Sequence, residues 1–210
     1  MAQEVEELAL SNRVQLAGVV LIDPVLLHIN YKGDEIYETK ISIERISGIQ
    51  DTLVLHLPAF YKEEFRKGEF VGLKGQFRGH STKDKHLELY VYVKEIVRDQ
   101  IDYQNQINLI GFICKTPKFR ITPLKRDICD ILIAVNRLNN KTDYLPCVAW
   151  RNLAKAIRHK KIGDKIRIVG RLQSREYTKV LAEGEVIKTA YEVSISSFEN
   201  MEWNNEVWEK

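Results

Sequence analysis

The chain repeats itself at an interval of about 93 residues, and that repeat limits what it can fold into. Asn12, Val14, Leu16, Gly18 and Pro24 return, at unchanged internal spacing, as Asn105, Ile107, Leu109, Gly111 and Pro117. Ile41, Ile43, Arg45 and Asp51 stand 92 residues before Ile133, Val135, Arg137 and Asp143. The run from Lys67-Gly68-Glu69 to Gly75 parallels Ile162-Gly163-Asp164 to Gly170 at an offset of 95. A slowly drifting offset is what small loop insertions leave between two copies of one fold. The interval is too long for a solenoid unit and matches one small domain, so two related domains are expected.

Each copy alternates apolar and polar residues with the period of a half-buried strand. In the first copy these runs are Asn12–Val20, Glu38–Arg45, Leu53–Leu57, Phe70–Phe77 and Leu87–Val93. In the second they are Ile107–Ile113, Ile128–Val135, Cys147–Trp150, Lys165–Leu172 and Tyr191–Ser196. A short helical stretch precedes each fourth strand, Ala59–Arg66 and Leu153–His159. Gly68 and Gly163 follow, where a left-handed residue can end a helix. Five strands with a helix between the third and fourth is the layout of an OB-fold barrel. The expected fold is therefore all-β, two tandem five-stranded OB-fold barrels, each with one short helix. Gly75 and Gly170 fall at matching points inside strands, where a small barrel needs a bend or bulge. Pro24 and Pro117 are read as turns after the first strands. The boundaries implied are a tail at 1–10, a first barrel at 11–98, a second at 104–199 and a short acidic end at 200–210. Arg98–Tyr103 has no Gly, Pro or Ser run, which predicts barrels held close.

No apolar run is long enough to span a bilayer, and Glu4, Glu6 and Glu7 do not suit a secretory signal. A soluble, cytoplasmic protein is expected. Cys114, Cys129 and Cys147 fall within expected strands and show no Cys-x-x-Cys spacing. They are read as buried small hydrophobes in a reducing compartment, not as disulfide partners or zinc ligands. His28, His56, His80, His86 and His159 lack metal-ligand spacing. No carboxylate pair, nucleophile motif or phosphate loop stands out, so no catalytic residue, cofactor or metal is expected. The net charge of +3 hides an asymmetry: residues 1–100 carry 13 Lys and Arg against 16 Asp and Glu, whereas residues 101–195 carry 18 against 9. A basic domain beside an acidic one is an electrostatic footprint for a polyanion. Solvated surface lysines account well for Lys155–Lys161 but less well for arginines on strands.

The second copy contains Thr116-Pro-Lys-Phe-Arg-Ile-Thr-Pro, Ala134-Val-Asn-Arg and Pro146-Cys-Val-Ala-Trp. It continues with Ile162-Gly-Asp-Lys-Ile-Arg-Ile-Val-Gly-Arg-Leu-Gln-Ser-Arg-Glu-Tyr and Tyr191-Glu-Val-Ser. In this order and spacing, the set resembles the bacterial single-stranded DNA-binding protein family, which also includes the primosomal replication protein. The likeness covers roughly residues 105–196. It implies an OB-fold, no enzymatic activity and binding of unpaired DNA with little sequence preference, in replication, recombination or repair. Such binding needs a positive groove carrying flat rings, because the ligand offers only phosphates and base faces to a sequence-tolerant partner.

By the resemblance, Tyr144, Trp150 and Tyr177 fall where the family places base-stacking aromatics, and Arg120, Arg126, Arg137, Arg151, Arg171 and Arg175 line its groove. Alternation puts Arg171, Gln173 and Arg175 on one strand face with Leu172 opposite. Trp150 has a second reading as a core tryptophan; Tyr144 and Tyr177, flanked by charge, read as exposed. The first copy departs from the pattern, with Thr52, Pro58 and His80 at the positions of Tyr144, Trp150 and Arg175, although Arg45 matches Arg137. Its Tyr90 and Tyr92 share a face opposite Leu89, Val91 and Val93, and suit DNA and a partner subunit equally. This acidic copy reads as the weaker DNA binder. The ending Glu-Val-Trp-Glu-Lys, with Trp203 and Trp208 nearby or within it, lacks the long tail and acidic Pro-Phe tip of the family's replicative members. That leans toward a specialised paralogue or the primosomal type. Members with one fold per chain form tetramers, so the resemblance implies a homodimer presenting four OB-folds. Two further readings stay open: a primosome-type adaptor that mainly binds replication or repair proteins, and an RNA binder, since stacking and backbone contacts do not depend on the sugar.

Overall fold

The structure, a computed structural model, describes residues 10–81, 87–181 and 184–201. The expected N-terminal tail up to residue 9, His86 and the tail tryptophans lie outside the described residues. The first copy consists of β1 (Asn12–Val20), β2 (Val25–Ile29), β3 (Glu35–Glu44), β4 (Gln50–Pro58), a 3-10 turn at Ala59–Glu64, β5 (Phe70–Ser81) and β6 (Leu87–Val97). The second consists of β7 (Gln104–Ile113), β8 (Lys118–Ile121), β9 (Asp127–Asn136), β10 (Thr142–Trp150), helix α1 (Arg151–Ile157), β11 (Lys165–Leu181) and β12 (Gly184–Asn200).

Pairing closes each copy into a five-stranded barrel. The first runs β1–β3–β4–β6–β5 and back to β1, antiparallel except for the parallel β4–β6 pair. The second runs β7–β9–β10–β12–β11 and back to β7. This is OB-fold topology, twice. Alternation supplies the core. Leu16, Ile41, Ile43, Leu53, Leu55 and Leu57 fill the first barrel, and Leu109, Ile133, Val135, Leu145, Cys147 and Ala149 occupy the matching positions of the second, all buried. Each fully buried aliphatic side chain contributes about 1.5–3 kcal/mol relative to exposure.

Closure depends on glycine where one strand changes partners. β1 pairs with β5 through Val19 and meets β3 at Val19 and Val20; a Cβ on Gly18 would collide with the Ser42 carbonyl. In the second copy a Cβ on Gly111 would lie 2.5 Å from the Ala134 carbonyl oxygen. Gly75 sits at a register shift between β5 and β6, the bend expected there. Gly68 and Gly163 adopt φ of +88° and +95°, and their N–H groups donate to the carbonyls of Val20 and Ile113.

Several expectations need correction. Pro24 and Pro117 lie in the connections after β1 and β7, as expected, but the short strands that follow them, β2 and β8, were not expected. All five residues of β2 are exposed, so it carries no burial alternation that the sequence could display. The first helical stretch is a 3-10 turn with no buried residue, anchored by buried Phe65 just beyond it. The second helix begins at Arg151, two residues early, and buries Ala154 and Ile157. β11 and β12 run 17 residues each, far beyond the expected Lys165–Leu172 and Tyr191–Ser196, because they continue past the barrel wall where apolar periodicity ends. Cys114 lies just past β7 rather than within a strand, half-buried, with its Sγ 3.2 Å from the Leu132 carbonyl. Cys129 and Cys147 are buried, and burial pushes the Cys129 thiol up to about 11, which keeps it unreactive.

By backbone proximity the chain forms two compact units, neither continuous in sequence. One comprises Arg13–Ile107 with Arg171–Val193; the other is built around Asn108–Gly170 and takes in the strand from Ser194. The outer halves of β11 and β12 thus belong to the same unit as the first copy. Among the described residues no helix is long and apolar enough to cross a membrane.

Candidate nucleic-acid interface

In β9 and β10 the odd-numbered residues from Cys129 to Val135 and from Asp143 to Ala149 point into the barrel and are buried. The even-numbered residues therefore lie on the opposite face, which is open at Tyr144 but buried at Ile128 and Val148, on the strands against which α1 packs. Across that face Ala134 opposes Tyr144, Leu132 opposes Pro146 and Ile128 opposes Trp150. β8 extends it, with Arg120 opposite Ile128 and Lys118 opposite Asp130. Directly opposed residues share a face, so Arg120, Tyr144 and Trp150 stand on one surface. The two rings are roughly 20 Å apart along β10 at the usual strand rise. Tyr144 is 48% exposed. Trp150 is half-buried at the strand end, on the outer face. Arg120 pairs with Asp130 at 2.8 Å. Arg126 is exposed in the β8–β9 turn, where its N–H donates to Thr122 Oγ1 at 3.0 Å. Arg151, exposed with a φ of +53°, opens α1 next to Trp150. Sequence reasoning missed one feature here: the Arg158 guanidinium lies 5.1 Å from the Phe119 ring centroid, a pairing of β8 with the residue just after α1.

Arg45 and Arg137 occupy equivalent places and do equivalent work. Each begins a tight turn, with N–H groups donating to the carbonyls of Ile49 and Lys141 respectively. Each guanidinium grips a fully buried carboxylate with two nitrogens, Arg45 on Asp51 and Arg137 on Asp143. Removing one partner of a buried pair costs about 3–5 kcal/mol, so both arginines are committed to closing their turns. The repeated Arg-to-Asp spacing was visible in the sequence; that the aspartates are buried was not.

On β11, Arg175 is exposed and its guanidinium carbon lies 5.9 Å from the ring centroid of Tyr177, itself 39% exposed. Gln173 does not share that surface as expected: it is buried, with its Nε2 donating to Glu192 at 2.7 Å. Arg171 is half-buried beside Arg45 and Asp51. Burial lowers its pKa, Arg45 adds to this and Asp51 opposes it. Among the described residues its Nε has no hydrogen-bond partner. Tyr90 and Tyr92 lie on the outer face of β6, with Leu89, Val91 and Val93 buried behind them as alternation requires. Tyr90 stacks on His56 at 3.7 Å between centroids, and Lys94 lies 5.0 Å from the Tyr92 ring. Among the described residues no three His, Cys, Asp or Glu side chains gather to hold a metal ion.

Two closed five-stranded barrels of this topology place the chain in the class of OB-fold β-barrel proteins. A sequence profile of the Single-strand binding protein family matches residues 104–201. The single-stranded DNA-binding protein 1 of Lactococcus lactis is 30% identical over 107 residues, which cover 48% of this chain and 69% of that protein. The single-stranded DNA-binding protein of Deinococcus radiodurans aligns over 207 residues at 23% identity, covering 80% of this chain and 68% of the relative. The corresponding protein of Oceanobacillus iheyensis is 32% identical over 94 residues, 41% of this chain and 55% of its own length. The chain spans about half the length of several of the curated relatives it matches. The chain belongs to the single-strand binding protein family. The crystal structure of the wild-type single-stranded DNA-binding protein from Thermus aquaticus superposes with a TM-score of 0.71 at 20% identity, covering 91% of this chain and 93% of that one, so the two share a fold over nearly their whole lengths.

Proposed function

We propose that this protein binds single-stranded DNA with little sequence preference, without enzymatic activity, in replication, recombination or repair. The observation that carries the reading is the outer face of β8–β9–β10, where register sets Arg120, Tyr144 and Trp150 on one surface. Flat rings stack on any base, each for about 1–3 kcal/mol, and arginine contacts to phosphates add a favourable contribution that shrinks as salt rises. The exposed Arg175 and Tyr177 repeat the combination on β11. The relatives' names point to the same ligand. Fluorescence titration with labelled oligo-dT at rising salt tests this. Affinity should fall steeply with salt and exceed that for duplex; salt-independent binding, or equal affinity for duplex, would overturn it.

An adaptor that mainly binds replication proteins is favoured by one separate observation. Strand β2 exposes Val25, Leu26, Leu27 and Ile29 at a sheet edge, an apolar surface of the kind that docks partners. Retention of a helicase or primase alongside weak oligo-dT binding would support that reading instead.

A further inference from the structure

Residues Leu172–Ser174 of β11 are held by side chains from elsewhere in the same compact unit, immediately before the stretch that carries Arg175 and Tyr177. Asn105 brackets Leu172: its Oδ1 accepts the Leu172 N–H at 2.8 Å and its Nδ2 donates to the Leu172 carbonyl at 2.7 Å. One residue further on, buried Gln173 is tied to Glu192 of β12. At Ser174 the partner comes from the first copy. Asp51 Oδ1 accepts the Ser174 N–H at 2.9 Å while the same carboxylate holds Arg45. The Thr52 N–H donates back to Ser174 Oγ at 2.9 Å. Three successive residues are thus fixed by hydrogen bonds, and the next four, Arg175–Thr178, are all exposed.

We propose that Asp51 and Ser174 are positioning residues: through them the first copy orients the outer half of β11 and so aims Arg175 and Tyr177 at the nucleic acid. This rests on the single-stranded DNA reading above. Asp51 suits the role because it is rigid. Being buried and already paired with Arg45, it presents a fixed acceptor to the strand rather than a mobile surface group. It also gives the divergent, acidic first copy a part in binding that does not require a ring of its own on the ligand. Thr52 stands where the second copy has Tyr144, and what it offers is its backbone N–H to Ser174.

The test is a double-mutant cycle on the full chain, read by oligo-dT titration. Ser174→Ala removes the hydroxyl acceptor while leaving the buried Arg45–Asp51 pair intact, so the variant is expected to fold. Tyr177→Ala should lower affinity roughly 5- to 150-fold, the worth of one stacked base. Ser174→Ala should also lower it, but the double variant should lose less than the two single losses combined, because Tyr177 can be misaimed only once, and Ser174→Thr should restore wild-type affinity. Hydrogen exchange should quicken at Arg175–Thr178 in free Ser174→Ala. Fully additive losses, an unaltered Ser174→Ala, or a Tyr177→Ala that binds like wild type would each overturn the positioning role while leaving single-strand binding in place. A wild-type protein with no affinity for oligo-dT would instead remove the reading on which it rests.

Discussion

His56 lies on the outer face of β4, its ring stacked on Tyr90 and its Nε2 3.3 Å from Glu38 Oε2. Burial, with help from His28 and His80, lowers its pKa to about 4, outweighing the opposing pull of Glu88. An unfolded histidine titrates near 6.5. Above that pH both states are neutral at this site and its contribution to stability is complete. Between about 6.5 and 4 the unfolded chain takes up a proton that the fold refuses, so stability declines as pH falls. Urea midpoints should drop across this window, and less so for His56→Gln; parallel pH profiles for the two proteins would show that His56 is not the cause. Tyr144 and Trp150 allow a second measurement at this scale. Tyr144→Ala should weaken oligo-dT binding by about 1–3 kcal/mol at unchanged melting temperature. Half-buried Trp150 should lose both affinity and stability on the same change. Which residues are aromatic or cationic was legible in the sequence. Whether they stand free or are engaged was not: Arg137 and Arg120 read alike as symbols, yet one grips a fully buried aspartate and the other a half-buried one.

Strands legible in the sequence are those whose two faces meet different surroundings. β1, β3, β4, β7, β9 and β10 each have a buried side, and their alternation shows. β2, exposed throughout, and β8, which buries no residue, leave no such record. The outer halves of β11 and β12 were missed for the same reason. Glycine marks where elements must cross closely. At Gly111 a side chain would meet the Ala134 carbonyl oxygen at 2.5 Å and Ile133 Cγ2 at 2.7 Å, both on β9. Gly111→Val should therefore open the β7–β9 seam and destabilise the protein by about 1–3 kcal/mol or more, visible as a lower melting temperature. An unshifted melt would mean that β7 does not need to lie so close.

For the molecule as a whole, the duplicated barrel bears on assembly. If four OB-folds make the working unit, two chains suffice, and light scattering at micromolar concentration should return twice the mass of one chain. A stable monomer would overturn the homodimer that the family resemblance implies.

The sequence by itself determined the duplication, the all-β character and the family, because period, spacing and motif order are properties of neighbouring residues along the chain. Only the tertiary structure decided which polar groups are used up in holding the fold. Asn105 reaches a backbone 67 positions away and Asp51 one 123 positions away. Local periodicity has no access to such partners, since burial and hydrogen bonding are settled only when distant strands close upon one another.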